Sequence, residues 1–151
     1  MGSLHQGHML SALSVAEKAR YIASPNPMVG AVIVKDSQII GTGFTHTPGS
    51  DHAEIDAIKD VYKKFKNEAS QKLNNSSIYV TLEPCHMCCM AIVNARIDNL
   101  FFGAREPKTG AVVSVDNFFE RNFLNHKVSF SGGHMEKESE LMLKNFFKDK
   151  R

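Results

Sequence analysis

The sequence predicts an α/β fold built from five strands and the helices that connect and flank them. Residues 28–34 and 38–44 are separated only by Lys35-Asp36-Ser37, which indicates an antiparallel hairpin. Residues 77–82 and 98–103 flank a helical segment, which indicates a βαβ crossover, because parallel neighbours need a long connection. A fifth, short strand is expected near residues 127–130.

Two helices are predicted around the hairpin. In residues 8–22 the small and apolar side chains recur at three- and four-residue intervals, the period of a half-buried helix, and Ser24-Pro25-Asn26-Pro27 ends it. Strand 28–34 is a continuous apolar run, which indicates burial on both faces. A second helix is expected to begin near His52, with an apolar stripe formed by Ala57, Ile58, Val61, Tyr62 and Phe65.

The βαβ crossover places a candidate site at the end of its first strand. Strand 77–82 leads directly into Pro84-Cys85-His86-Met87-Cys88-Cys89, and a helix is expected over residues 87–95. Open α/β sheets usually build their sites at such carboxyl ends of strands. A loop at 104–115 and a closing helix from about residue 135 complete the prediction.

Composition limits the class of protein. The 151 residues, 42% of them hydrophobic and 23% charged, are expected to form one domain over residues 1–151. No apolar run approaches the ~20 residues that span a bilayer, so no membrane association is expected. The start lacks a basic patch followed by an apolar core, which argues for the cytoplasm. The net charge of +2 does not by itself require a nucleic-acid partner.

All three cysteines lie between positions 85 and 89, which favours a metal or redox site over a disulfide framework. Upstream, His52-Ala53-Glu54 also opens a predicted helix and offers a third ligand. Two cysteines and one histidine leave the fourth position of tetrahedral zinc to water, which is the catalytic arrangement. Helix spacing alone does not decide between Cys88 and Cys89 as the partner of Cys85, because both are its neighbours on one face.

Glu54 has two interpretations. A carboxylate beside a zinc-activated water can take its proton and return it to a substrate. Alternatively, Asp51 is a helix N-cap and Glu54 reaches back to its N–H in a capping box. Together with Pro-Cys-x-x-Cys, the catalytic interpretation is favoured.

His-x-Glu followed by Pro-Cys-x-x-Cys is typical of zinc nucleobase deaminases, and the chain resembles the cytidine deaminase-like superfamily. Within it, Thr81-Leu82-Glu83-Pro84-Cys85-x-Met87-Cys88 and the run from Phe102 to Ala111 resemble bacterial tRNA adenosine deaminases. The resemblance covers roughly residues 11–151. It implies a three-layer α/β/α fold with a mixed five-stranded central sheet and one Zn²⁺ per subunit, held by His52, Cys85 and Cys88. Cys89 would then be a buried apolar side chain.

The resemblance also implies a reaction. Zinc-activated water would attack the amine-bearing carbon of adenosine at the tRNA wobble position, and Glu54 would protonate the ring nitrogen and then the leaving ammonia. The expected substrate-binding residues are Asn26, Gly30, Ala31, Ala53 and Pro84. Contacts to the tRNA anticodon loop are expected from Arg105, Lys108, Phe147, Lys148 and Arg151, whereas Phe146 is either a further contact or part of the core. A homodimer is expected through the apolar face of helix 86–96.

Two alternatives stay open. Residues 24–30 and 47–54 look more like the deaminase of riboflavin synthesis, although that enzyme interrupts its cysteine pair with an insertion. The tRNA enzymes usually carry an asparagine soon after the second strand, where this chain has Thr45-His46. The first alternative is therefore a deaminase of a free base or nucleotide, such as guanine, a pyrimidine or a riboflavin precursor. The second is a non-catalytic, zinc-stabilised module that binds RNA or a partner.

Overall fold

The structure, a computed structural model, describes residues 2–150, with side chains from Leu4 onward. No helix in this part of the chain is both long and apolar enough to cross a membrane. The elements in chain order are α1 Gly2–Ala16, β1 Gly30–Lys35, β2 Gln38–Phe44, α2 Ala53–Phe65, α3 Ala69–Leu73, β3 Ser77–Leu82, α4 His86–Asn94, β4 Asn99–Ala104, β5 Ser129–Ser131 and α5 Glu136–Asp149.

The sheet is mixed and five-stranded, as predicted, with strand order β2-β1-β3-β4-β5. β1 pairs antiparallel with both β2 and β3, whereas β3–β4 and β4–β5 are parallel. The β1–β2 hairpin turns through Asp36 and Ser37, which have φ angles of 52° and 63°. Two residues with positive φ match the twist of the flanking strands, which explains the tight connection.

β1 is buried on both faces, as its continuous apolar run predicts. Val32 and Val34 pack with Met9 and Ala12 of α1, on one side of the sheet. Ala31 and Ile33 belong to the larger cluster on the other side, to which α2, α3 and α4 contribute. α5 joins α1, because Phe146 packs against Ala16, Ala19, Ala23 and Met28. The chain therefore has three layers, with α1 and α5 on one face and α2, α3 and α4 on the other.

The boundaries of the first helix differ from the predicted range 8–22. α1 begins at Gly2 and ends at Ala16, followed by a single 3₁₀ turn at Glu17–Ala19. The early start has a packing cause that the apolar spacing does not contain. His5 stacks on Phe101 at 4.2 Å between ring centroids, and its Nδ1 lies 2.6 Å from the Tyr79 hydroxyl. A polar aromatic residue thus holds the first turns of α1 on the sheet.

Candidate active site

The first turns of α2 and α4 meet beside the carboxyl end of the central strand, β3. His52 is the N-cap residue of α2 and Cys85 that of α4, and both have extended backbones. The capping box considered as the alternative for Glu54 does not form, because the N-cap is His52 and makes no side-chain capping hydrogen bond. Asp51 instead pairs with Lys59, at 2.7 Å. Glu54 is therefore not used as a cap.

Three side chains from these helix starts converge on one point. The Nδ1 atom of His52 lies 3.7 Å from the Sγ atom of Cys85 and 3.4 Å from that of Cys88. Zinc bonds of about 2.3 Å to sulfur and about 2.0–2.1 Å to nitrogen place tetrahedral N and S ligands roughly 3.6 Å apart. No other group of three potential ligands comes together in the described part of the chain. The cluster therefore fits zinc and leaves a fourth position open.

The thiols differ in their surroundings. Hydrogen bonds from Cys88 and His52 lower the pKa of Cys85 to about 4, and the shared proton raises the pKa of Cys88. Cys85 is thus ready to act as a thiolate ligand, as expected at a helix start. Cys89 is fully buried, with its Sγ 3.8 Å from the Pro84 carbonyl, and burial raises its pKa. Cys89 lies outside the ligand cluster.

Glu54 lies beside the ligand cluster in a buried position. Its side chain is 5% exposed, and burial raises its pKa from 4.5 to about 7. A carboxyl group with a pKa near neutrality can both take and return a proton at physiological pH. The position of Glu54 therefore suits proton transfer and not helix capping.

A cavity of about 170 Å³ opens beside His52, Glu54 and Cys85. Drug-sized ligands usually occupy at least about 300 Å³, so this cavity suits a single planar ring with the rest of the ligand outside. Its walls also include Asn26, Val29, Thr45, His46, Glu106 and Thr109.

A sequence model of the protein family described as the cytidine and deoxycytidylate deaminase zinc-binding region matches residues 3–104. This range contains His52, Glu54, Cys85 and Cys88. The chain belongs to this deaminase family. Family membership shows a zinc-binding domain, and the ligand geometry makes this cluster its candidate zinc site.

Three similar proteins span two kinds of deaminase. The tRNA-specific adenosine deaminase of Haemophilus influenzae is 39% identical over 148 residues, which cover 95% of this chain and 83% of that protein. A solved structure from studies of tRNA:A34 deaminases has a TM-score of 0.78 and 34% identity, covering 91% of this chain and 99% of that chain. The diaminohydroxyphosphoribosylaminopyrimidine deaminase/reductase of Thermotoga maritima has a TM-score of 0.79 and 31% identity, covering 99% of this chain. This chain spans 43% of that longer protein.

The deaminase cavity includes one of the five residues expected to bind substrate. Asn26 lines it. Gly30 is buried in β1, where its N–H donates to the Thr81 hydroxyl, and Ala31 is buried in the same strand. Ala53 packs under Gly43, and the Pro84 carbonyl accepts the N–H of Ala111. The substrate roles of all five stay predictions.

The residues expected to contact RNA fall in two exposed regions. Arg105 and Lys108 are exposed beside the cavity-lining Glu106 and Thr109, and Phe147 and Lys148 are exposed on α5. Phe146 is fully buried, so the structure assigns it to the core of the deaminase. Arg151 lies outside the described residues.

Two features of the deaminase site were missed by the sequence analysis. His46 lines the cavity, stacks on Phe44 at 4.4 Å and lies 3.0 Å from the Asp56 carboxylate. Glu83, the acid just before the Pro-Cys pair, is only 3% exposed. An acidic residue directly after an apolar strand is a usable signal, because a buried carboxylate needs several donors.

Proposed function

We propose that this zinc deaminase hydrolyses adenosine to inosine at the wobble position of a tRNA. The observation that carries the proposal is the buried Glu54 carboxyl, which lines the same cavity as His52 and Cys85, two of the three candidate zinc ligands. Full-length similarity to tRNA-specific adenosine deaminases supports the choice of substrate.

The bound metal, Glu54 and the shape of the cavity have separate roles in the proposed reaction. Bound zinc supplies Lewis-acid activation of a water molecule. Glu54 takes a proton from the attacking water and delivers it to the ring nitrogen beside the reacting carbon. It then takes the second proton from the hydroxyl added to that carbon and gives it to the amine, which leaves as ammonia while the carbonyl forms. The small cavity admits the base alone, so the nucleotide has to be turned out of its loop.

The RNA is proposed to lie over the mouth of the cavity. Arg105 and Lys108 stand next to that mouth, and their charges suit the phosphates of an anticodon loop. Phe147 and Lys148 add an exposed ring and a charge on α5, suited to stacking and phosphate attraction. Arg151 follows in sequence and is included in the same proposal.

We further propose that residues 1–151 form one deaminase domain that acts as a homodimer in the cytoplasm. Met87 and Met90 are 54% and 37% exposed on α4. Exposed, unbranched apolar side chains on one helix are suited to a protein contact.

The second candidate is deamination of a small molecule such as a riboflavin precursor. The structural similarity to the Thermotoga maritima protein and the short connection from Phe44 to His52 favour it. A short loop leaves the cavity mouth without an additional RNA-binding segment.

A substrate panel tests the proposal. Zinc-loaded protein is incubated with a tRNA anticodon stem-loop and, separately, with adenosine, guanine, cytosine and a diaminopyrimidine ribose phosphate, and ammonia is measured. We expect release from the stem-loop, lost in Glu54→Gln while zinc stays bound. Release from small molecules alone would replace the first candidate by the second. If Glu54→Gln changes no turnover, the catalytic assignment is wrong.

A further inference from the structure

We propose that Glu83 is a positioning residue, whose buried carboxylate fixes one wall of the substrate cavity to the turn that carries Cys85. The wall is the segment 106–114, in which Glu106 and Thr109 line the cavity. The kinetic consequence rests on the proposed function, whereas the structural consequence does not.

One carboxylate gathers five donors from this wall. The Oε2 atom accepts the N–H groups of Val112, Val113 and Ser114 at 3.1, 2.8 and 3.0 Å. The Oε1 atom accepts the N–H of Glu106 at 3.1 Å and the hydroxyl of Ser114. A carboxylate has about four lone-pair sites and no donor, so the five donors occupy all of its acceptor capacity and share at least one site, while Glu83 is only 3% exposed.

The five donors come from both ends of the wall. Glu106 begins the segment and Ser114 ends it, so the Glu83 carboxylate holds the two ends together. Between them the chain passes very close, because a Cβ at Gly110 would lie 2.4 Å from the carboxyl carbon of Glu83. The N–H of Ala111 also donates to the Pro84 carbonyl at 2.9 Å. The wall thus takes its position from residues 83 and 84.

A second contact joins the start of α4 to the chain that follows the wall. His86, the first residue of α4, lies 2.9 Å from the Asp116 carboxylate, which also pairs with Arg121. That contact is exposed and holds the chain beyond the wall. Glu83 is the buried connection, so the position of Glu106 and Thr109 relative to the ligands depends on it.

Glu83→Gln tests this inference. The amide has one acceptor oxygen, so in either orientation its NH₂ group faces backbone N–H donors. We expect faster amide hydrogen exchange in residues 106–114 and unchanged zinc content. For the substrate found in the panel we expect KM to rise at least roughly tenfold, the scale of one buried donor left unpaired, with kcat changing much less.

Two further variants make the result decisive. Ser114→Ala removes one of the five donors and should shift exchange and KM in the same direction by less, even if Glu83→Gln fails to fold. Glu68→Gln, the same change at an exposed site, should alter nothing. Unchanged exchange and KM in the Glu83 and Ser114 variants, or loss of zinc with the wall unmoved, overturns the inference. The two proposals can fail separately. If the wild type deaminates none of the substrates, the proposed function is refuted. Faster amide hydrogen exchange in residues 106–114 of Glu83→Gln would still support the positioning role.

Discussion

The Nδ1 atom of His52 lies 3.4 Å from the Sγ atom of Cys88, 36 positions further along the chain. Each atom comes from the first turn of a different helix, and both helices rest on the same face of the sheet. The zinc site is therefore a tertiary feature, although two of its ligands belong to a local motif.

The first prediction distinguishes the two neighbouring cysteines. Cys88→Ser should lose most of its zinc and at least about 100-fold in deaminase activity, because a neutral hydroxyl is a poor substitute for a thiolate. Cys89→Ala should keep both, since the Cys89 thiol lies outside the cluster. Metal analysis and ammonia release measure the pair. The opposite pattern would show that Cys89 is the ligand.

The second prediction concerns the stability cost of Glu54 in protein stripped of zinc by a chelator. Burial raises its pKa from 4.5 to about 7, so the folded chain holds the proton more tightly than the unfolded chain. The free energy of unfolding should then fall as pH rises from 4.5 to 7, by about 3 kcal/mol in total.

Metal-free Glu54→Gln should escape this loss. Urea unfolding is expected to find it more stable than wild type at pH 8, with the difference disappearing below about pH 4.5. Glu68→Gln, at an exposed position, should show no such pH-dependent gain. A wild type as stable as Glu54→Gln at pH 8 would contradict the assigned burial cost.

The third prediction concerns the contact between β2 and α2. A Cβ at Gly43 would lie 2.2 Å from the Ala53 carbonyl oxygen and 2.4 Å from the Ala57 nitrogen. Gly43→Ala should therefore push α2 away, destabilise the protein by at least roughly 1–3 kcal/mol and weaken zinc binding through His52.

The matched control is Gly7→Ala in α1, where an added Cβ meets nothing within 4 Å. Because alanine is a better helix former, this change should stabilise by about 0.5–1 kcal/mol and leave zinc binding unaltered. Thermal unfolding and zinc titration are the measurements. Equal effects of the two substitutions would argue against close packing of α2 on β2.

The fourth prediction separates the two adjacent phenylalanines of α5. Phe146→Ala should cost about 3–5 kcal/mol of stability, because the ring is fully buried against α1. Phe147→Ala should cost no more than about 1 kcal/mol, since its ring is 37% exposed. If Phe147 stacks on RNA, the second variant should bind the anticodon stem-loop more weakly by about 1–3 kcal/mol. Unchanged stem-loop affinity would remove Phe147 from the RNA surface.

The sheet could be predicted because its signals are local. The apolar run of β1 and the short Lys35-Asp36-Ser37 connection each specify one structure, and the parallel pair β3–β4 follows from the helix between its strands. The limits of α1 could not be predicted, because His5 joins the helix through contacts with Tyr79 and Phe101. Those partners lie more than 70 positions away, beyond the reach of any local spacing.

The candidate site divides in the same way. His52, Glu54, Cys85 and Cys88 carry a recognisable spacing. The three candidate ligands converge in the structure, and Glu54 lines the cavity beside them. The wall at Glu106 and Thr109 has no comparable pattern, because it depends on hydrogen bonds from backbone groups to a single carboxylate. Every residue except proline has the same backbone donor, so the sequence does not mark which of these donors are used.

Because the candidate ligands come from two helices, the tightness of metal binding during refolding indicates whether both helices are in place. Cys85 and Cys88 share one turn of α4, so a chain with little more than that helix already holds two thiolates. His52 reaches the thiolates only when α2 is packed on the same face of the sheet as α4. During refolding, a metal ion caught early by the thiolates would therefore stay easily extracted by a competing chelator. The time at which the bound metal becomes resistant to the chelator is then the time at which α2 packs onto the sheet.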